Sequence, residues 1–292
     1  MPEFLLACDG TIHTLSTPWI MGILNATPDS FYAGSRLQAP ETAAARAKTM
    51  LDAGARIIDI GAYSSRPGAN PVSPTEEWNR LSEVIPAVRE VTDQFPGTFI
   101  SVDTFRAEVA DRALVAGANW INDISGGNLD PEIYNVAAAH RAPYIMMHMQ
   151  GDPSTMQINP TYNHVTQDIV KFFSEKLPQL HDMGVHDTIV DVGFGFGKTL
   201  EHNYQLLREL AAFQLLGRPI LTGVSRKSMI YKALNTAPEQ SLNGTTALHM
   251  AALIGGSNIL RVHDVAEAVE VAQLFNNLYP TGIQSPLFEW ER

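Results

Sequence analysis

The sequence predicts an α/β chain folded as a (β/α)8 TIM barrel with a short N-terminal β-hairpin, and three observations carry that prediction. Eight short runs that are apolar on both faces alternate with longer helical stretches, as buried parallel strands and their crossover helices do. Polar residues gather where those runs end. A length of 292 residues suits one barrel, and no Pro/Ser-rich linker, like-charge run or low-complexity segment divides it. Residues 1–292 are therefore expected to form a single domain.

The first element is the hairpin, spanning Leu5 to Ser16, where Asp9-Gly10 supplies the residue pair that two-residue β-turns favour. The eight strand-like runs follow: Trp19–Thr27, Ile57–Ala62, Thr98–Thr104, Trp120–Ser125, Tyr144–Met149, Thr188–Gly193, Pro219–Ser225 and Ile259–Asp264. Between them the helical spacing predicts helices such as Glu41–Ala53, Thr75–Gln94, Ala107–Ala116, His164–Met183 and Gly244–Ile254, several ending at a glycine. An open dinucleotide-binding sheet would need a G-x-G-x-x-G turn after the first strand, which instead runs into Asn25-Ala26-Thr27. The run Gly193-Phe194-Gly195-Phe196-Gly197-Lys198-Thr199 looks like a phosphate loop but carries Val192 where that motif begins with glycine, so it reads as a tight βα turn.

Composition narrows the function classes. With 20 Lys and Arg against 31 Asp and Glu, the formal net charge of −11 repels nucleic acid and anionic membrane, so neither is expected as a partner. Cys8 is the single cysteine, so no intramolecular disulfide forms and a reducing compartment fits. The apolar run Phe4 to Cys8 is too short and too acidic in its flanks for a secretory signal. The longest uncharged stretch, Gln240 to Leu260, is interrupted by Asn243, His249, Gly255 and Gly256 and does not read as a membrane span. The expected location is the cytoplasm.

In a barrel of this class the C-terminal strand ends face the active site. Here they bring Asn25, Asp103, Asn122 with Asp123, His148, Asp191, Ser225-Arg226-Lys227, and Arg261 with His263. One chemical set is Asp103, Asn122, Asp191 and Lys227. A carboxylate accepts two parallel N–H bonds, and amide and ammonium groups satisfy ring carbonyls and nitrogens, so this set suits a flat polar heterocycle such as a 2-aminopyrimidinone. A second set, Asn25, Ser65, Arg66, Arg261 and His263, is cationic or neutral and suits a phosphate.

These segments resemble the dihydropteroate synthases of folate biosynthesis. The resemblance is carried by Met21-Gly22-Ile23-Leu24-Asn25-Ala26-Thr27-Pro28-Asp29-Ser30-Phe31, Ser64-Ser65-Arg66-Pro67-Gly68-Ala69, Ser101-Val102-Asp103-Thr104, Ile121-Asn122-Asp123, Gly195-Phe196-Gly197-Lys198-Thr199, Gly223-Val224-Ser225-Arg226-Lys227-Ser228 and Arg261-Val262-His263-Asp264. It implies condensation of 6-hydroxymethyl-7,8-dihydropterin diphosphate with p-aminobenzoate, assisted by Mg²⁺, to give 7,8-dihydropteroate and pyrophosphate. It also implies that Asp103, Asn122, Asp191 and Lys227 bind the pterin, and that Asn25, Ser65, Arg66, Arg261 and His263 bind the diphosphate, with Asn25 beside the metal. Ser65, Arg66, Pro67, Phe196 and Ser228 would form the p-aminobenzoate pocket, and Asn25, Lys227 and Arg261 would carry the catalysis. Ser228 would open a helix whose N-terminus faces the aminobenzoate carboxylate. A homodimer is implied as well.

The chain departs from the family pattern at Ala33, where many members carry an aspartate in the first loop and Asp29 is here the nearest acid, and at Val192, where a proline is usual. Two other readings are a corrinoid-dependent methyltransferase on a pterin-binding barrel and a pterin-binding paralogue without turnover. The first needs no diphosphate clamp of the kind Arg66, Arg261 and His263 would form. His148 and the methionines at 146, 147 and 149 read as barrel packing, and Asp123, pointing opposite to Asn122, as a backbone-binding carboxylate. His164, His181, His186, His202 and His249 have no metal-ligand spacing and read as solvated or structural.

Overall fold

The computed structural model describes residues 2–26, 39–63, 72–152, 156 and 158–280. The hairpin is present as β1 (Phe4–Cys8) and β2 (Thr11–Leu15), paired antiparallel with Cys8 opposite Thr11. Asp9 at φ 49° and Gly10 at φ 72° both take the left-handed backbone that such a turn demands, which is why aspartate and glycine mark it.

All eight expected strands form: β3 (Trp19–Asn25), β4 (Ile57–Gly61), β5 (Phe99–Asp103), β6 (Trp120–Asp123), β7 (Tyr144–Met147), β8 (Thr188–Asp191), β9 (Ile220–Thr222) and β10 (Ile259–Val262). They close in the order β10-β3-β4-β5-β6-β7-β8-β9, every neighbouring pair parallel, and Ile259 seals the ring by facing both Trp19 and Leu221. Most strands stop one to three residues short of the apolar runs, because the last residues of each run already leave the sheet as the βα turn.

Around the barrel lie α1 (Ala39–Asp52), α2 (Pro74–Leu81), α3 (Val84–Thr92), α4 (Ala107–Val115), α5 (Ile133–His140), α6 (Val165–Asp182), α7 (Leu200–Arg208), the single turn α8 (Ser228–Tyr231), α9 (Leu242–Ile254) and α10 (Val265–Leu278). One expectation needs correction: the stretch Thr75–Gln94 is two helices, not one. Pro86 has no N–H to give the carbonyl of Ser82 and its ring would collide there, so a continuous helix is broken at Ser82-Glu83 and Pro86 sits in the first turn of α3. Among the described residues no helix is long and apolar enough to cross a membrane.

The two ends of the barrel interior differ in chemistry. At the N-terminal end Trp19, Met21, Ile57, Phe99, Trp120, Ile145, Ile189, Leu221 and Ile259 form an apolar floor, and the hairpin lays Leu6, Cys8 and Leu15 across it. Asn119 ties the hairpin on, donating from Nδ2 to Asp9 at 2.6 Å while its Oδ1 accepts from the Ile100 N–H at 2.7 Å. Burial, with Asp9 adding to it, pushes the Cys8 thiol up to about 12, so this cysteine stays protonated and inert as a nucleophile.

His249 on α9 is 1% exposed, and neither ring nitrogen has a hydrogen-bond partner among the described residues. Burial pulls it down from 6.5 to about 4, with Asp264 opposing. A group depressed in the folded state contributes stability above its unfolded value and loses it as pH falls towards the folded one. His249→Leu should therefore keep its stability within about 1.5 kcal/mol at pH 8. Between pH 8 and pH 5 it should lose about 2 kcal/mol less than the parent chain. Urea unfolding at the two pH values checks this, and parallel losses would refute it.

Candidate active site

The register of the barrel decides which side chains meet. Asp59 faces Ser101, Gly61 faces Asp103, and Asp103 faces Asn122 across three neighbouring strands, so alternate residues of β4, β5 and β6 point into one polar layer above the apolar floor. Arg261 reaches into that layer from β10. Its Nε donates to Asp59 Oδ2 at 2.6 Å and its Nη2 to Asp103 Oδ2 at 2.7 Å, while Asn122 Nδ2 donates to the same Asp59 oxygen at 3.1 Å.

Asp59 is absent from the residues expected from sequence, yet it is fully buried at the centre of this network. Its Oδ1 has no hydrogen-bond partner among the described residues. The signal was available: an aspartate inside Ile57-Ile58-Asp59-Ile60 is an acid in the middle of a strand otherwise apolar on both faces.

Burial opposes the charge of Arg261, but Asp59 and Asp103 outweigh it and hold the guanidinium above its ordinary range. Burial raises Asp103 above the usual carboxylate range, with Arg261 opposing the rise and Asp59 adding to it. Asp191 is raised by burial too, against Lys227 and the Gly193 N–H, which donates to Asp191 Oδ1 at 2.8 Å. Burial brings Lys227 down to about 8, with Asp191 opposing, and its ammonium donates to the Phe194 carbonyl at 2.5 Å and lies 4.8 Å from the Phe196 ring.

Arg226 and Lys227 point in opposite directions, for a backbone reason. Arg226 takes a left-handed φ of 54° and turns outward to a bidentate pair with Asp264 at 2.8 and 2.7 Å, which leaves Lys227 facing the barrel mouth. His263 shares a hydrogen bond of 3.0 Å between its Nδ1 and Ser225 Oγ. The protein packed round the ring and the nearby Arg261 charge pull it down to about 4, so the imidazole is neutral at pH 7 although the residue is open at the rim. Asn25 ends β3 with its side chain exposed at the mouth.

Of the remaining expected residues, Phe196 packs on a small cluster of Ile124, Met147, Met149 and Met156, so two of the three methionines read as filler border the site. Ser228 does begin a helix, but α8 is a single turn, so the field of a long helix dipole is missing there and the N–H groups that open the turn and the Ser228 hydroxyl are what it offers. Ser65, Arg66 and Pro67, with Asp29 and Ala33, lie outside the described residues. Asp123 is satisfied by the N–H groups of Ser125 and Gly127 and by the Tyr144 hydroxyl, matching its reading as a backbone-binding acid. His164 and His202 act as helix caps.

No group of three or more histidine, cysteine or acidic side chains that could hold a metal occurs among the described residues. The exposed Asn25 carboxamide fits Mg²⁺ in a different way, because that ion keeps several waters and takes few protein oxygens when phosphate oxygens complete its shell.

Comparison with known proteins places relatives beside this geometry. A family profile described as pterin binding enzyme matches residues 21–263. The chain is 46% identical over 264 residues to a dihydropteroate synthase of Synechocystis sp., covering 89% of this chain and 90% of that protein. It also superposes on the dihydropteroate synthase of Xanthomonas albilineans with 4-aminobenzoic acid, at TM-score 0.86 and 37% identity over 95% of this chain and 98% of that one. A structure of the X. albilineans enzyme in complex with 7,8-dihydropteroate gives TM-score 0.83 and 34% identity over 94% and 98% of the two chains.

If Asp59 anchors Arg261 and Asn122 together, Asp59→Asn removes one charge-assisted bond and should lower stability by about 1.5–3 kcal/mol. Asp59→Leu, which strands both donors, should cost more. Denaturant unfolding at pH 8 ranks the two, and an Asn variant as stable as the parent would contradict the anchor.

Proposed function

Since the chain belongs to the dihydropteroate synthase family of pterin-binding enzymes, we propose that it condenses 6-hydroxymethyl-7,8-dihydropterin diphosphate with p-aminobenzoate, giving 7,8-dihydropteroate and pyrophosphate. The observation that carries this reading is the convergence, at one barrel end, of a buried acceptor-rich layer with cations at its edge. Asp103, Asn122 and Asp191 supply the first, and Arg261 and Lys227 supply the second.

Asp103, Asn122, Asp191 and Lys227 take the pterin edge, where a carboxylate matches an amidine-like pair of N–H donors and the Lys227 ammonium meets a ring acceptor. The diphosphate lies at the rim with Asn25, Ser65, Arg66, Arg261 and His263, a neutral imidazole offering one N–H beside the forked guanidinium. Phe196, Ser228, Ser65, Arg66 and Pro67 form the aminobenzoate pocket. Mg²⁺, when bound beside Asn25, supplies positive charge to the leaving pyrophosphate.

In the reaction the bond between the pterin methylene carbon and the diphosphate oxygen breaks, with the electron pair leaving on pyrophosphate. The dihydropterin ring delocalises the resulting positive charge. Arg261 meets the developing negative charge without reorganising, because Asp59 already fixes its Nε. The arylamine nitrogen then bonds to the methylene carbon and releases its proton to the pyrophosphate or solvent. Nothing in this sequence calls for an enzyme nucleophile, and Cys8 is at the opposite end of the barrel.

The proposal takes residues 1–292 as one pterin-binding barrel, cytoplasmic and homodimeric, with neither nucleic acid nor membrane as a partner. Exposed Leu274 and Leu278, one turn apart on α10, and Ile254 at the end of α9 offer apolar surface for a second copy. Light scattering tests the dimer.

Pyrophosphate release on mixing the two substrates tests the activity, and no release would reject it. Arg261→Lys keeps the charge but loses the fork. It should weaken binding of the dihydropterin diphosphate by about ten- to a hundredfold, the equivalent of one charge-assisted bond, while free pterin changes by less than about threefold. Calorimetry measures both, and equal losses would reject the placement of the diphosphate.

A further inference from the structure

The glycine-rich turn after β8 resembles a phosphate loop in sequence, but its lysine faces the protein. Lys198 is 3% exposed. Its ammonium donates to the Phe196 carbonyl at 2.9 Å, the His148 carbonyl at 3.2 Å and His148 Nδ1 at 3.2 Å. These three acceptors are all neutral and Lys198 forms no salt bridge among the described residues; burial brings it down to about 7, with the Asp191 charge opposing at longer range. An apolar side chain of similar length would be cheaper to bury than this ammonium, so packing alone gives no reason for a lysine.

The glycines show what the ammonium holds. A Cβ on Gly193 (φ +71°) would lie 2.0 Å from the His148 carbonyl, and one on Gly197 (φ +61°) would lie 2.7 Å from that of Gln150. The loop therefore lies directly on residues 148–150, with no room for side chains between. Lys198 joins the two backbones at that contact, and in its charged form it donates to His148 Nδ1, which leaves the ring proton on Nε2. Burial, with the Lys198 charge adding to it, drives the His148 pKa far down, in keeping with this. The Tyr162 hydroxyl, donating to the Gly197 carbonyl at 2.8 Å, and Asn203, accepting from the Gly195 N–H at 2.7 Å, brace the same loop from α6's leading segment and α7. The residue whose carbonyl Lys198 grips is Phe196, and its ring faces Lys227 at the mouth.

We propose that Lys198 is a positioning residue for the aminobenzoate half of the site: by binding the Phe196 carbonyl and the end of β7 together, it fixes the Phe196 ring that flanks the arylamine. This rests on the dihydropteroate synthase reading above. His148 enters as the acceptor that makes the grip possible, which gives the histidine that follows β7 a role that packing alone does not.

Two measurements test it. In the free enzyme, hydrogen exchange of the amides of residues 193–198 should become about tenfold faster in Lys198→Met, with exchange in the barrel strands unchanged. In steady-state kinetics, Lys198→Met should raise KM for p-aminobenzoate by about tenfold, while affinity for 6-hydroxymethylpterin stays within about twofold. The same change made in a Phe196→Ala background should move that KM by less than about twofold, since the ring being positioned is gone. Additive effects in this cycle, an equal loss of pterin affinity, or unchanged loop exchange would each overturn the assignment. Should the Met variant not fold, Lys198→Gln, which keeps two of the three N–H donors, carries the same expectations at smaller amplitude. A parent enzyme that releases no pyrophosphate would fail the catalytic reading instead, and loop exchange would then decide the role of Lys198.

Discussion

A guanidinium held between two carboxylates marks the level at which the apolar barrel interior gives way to the site. Three acids project into that layer from β4, β5 and β8, and Lys227 and Arg261 face them. Without Arg261, Asp59 and Asp103 would repel each other in a setting of low polarisability, where unpaired ionised groups are expensive and neutralise instead. With it, the acids remain available as acceptors, and the cation remains where an anion can reach it. Asp103 and Arg261 are each 21% exposed, whereas Asp59 is sealed below them. The pair is thus anchored at its foot and open at its head.

The apolar floor makes that arrangement sharper. Trp19, Phe99 and Trp120 pack against one another beneath the polar layer, with ring centroids 5.6 to 6.2 Å apart, and the hairpin closes the end below. The floor side chains are buried, so charges in the layer above are screened less from that side and interact more strongly. The burial-driven shifts of Asp103, Asp191 and Lys227 all express this one condition.

Much of this was legible in the sequence because the barrel imposes two simple rules: strands buried on both faces read as continuous apolar runs, and function collects at their C-terminal ends. Those rules found all eight strands and brought Asp103, Asn122, Asp191, Lys227, Arg261 and His263 to one mouth. They missed Asp59, which lies two residues before the end of β4 and whose meaning depends on a partner 202 residues away. They also gave no direction to Lys198. Chain identity says that a lysine follows three glycines, but whether it points at ligand or at His148 is settled by how the loop seats on the neighbouring strand. The break between α2 and α3 is signalled only by Pro86, because the helical spacing continues on both sides of it.

The closure of the ring carries a consequence for how the protein comes into being. Among the described residues β10 is the last strand to be synthesised, and it pairs with both β9 and β3, joining a late part of the chain to an early one. The same four residues, Ile259–Val262, bring Arg261 to its two carboxylates. Until they emerge, a nascent chain carries Asp59 and Asp103 without their counter-ion and an unsealed sheet with two free edges, a state that invites neighbouring strands to pair. Completing the barrel and arming it are therefore one event. A chain stopped short of β10 has neither a closed core nor a place to hold an anion, and quality control meets it as an unfinished fold rather than as a weak enzyme.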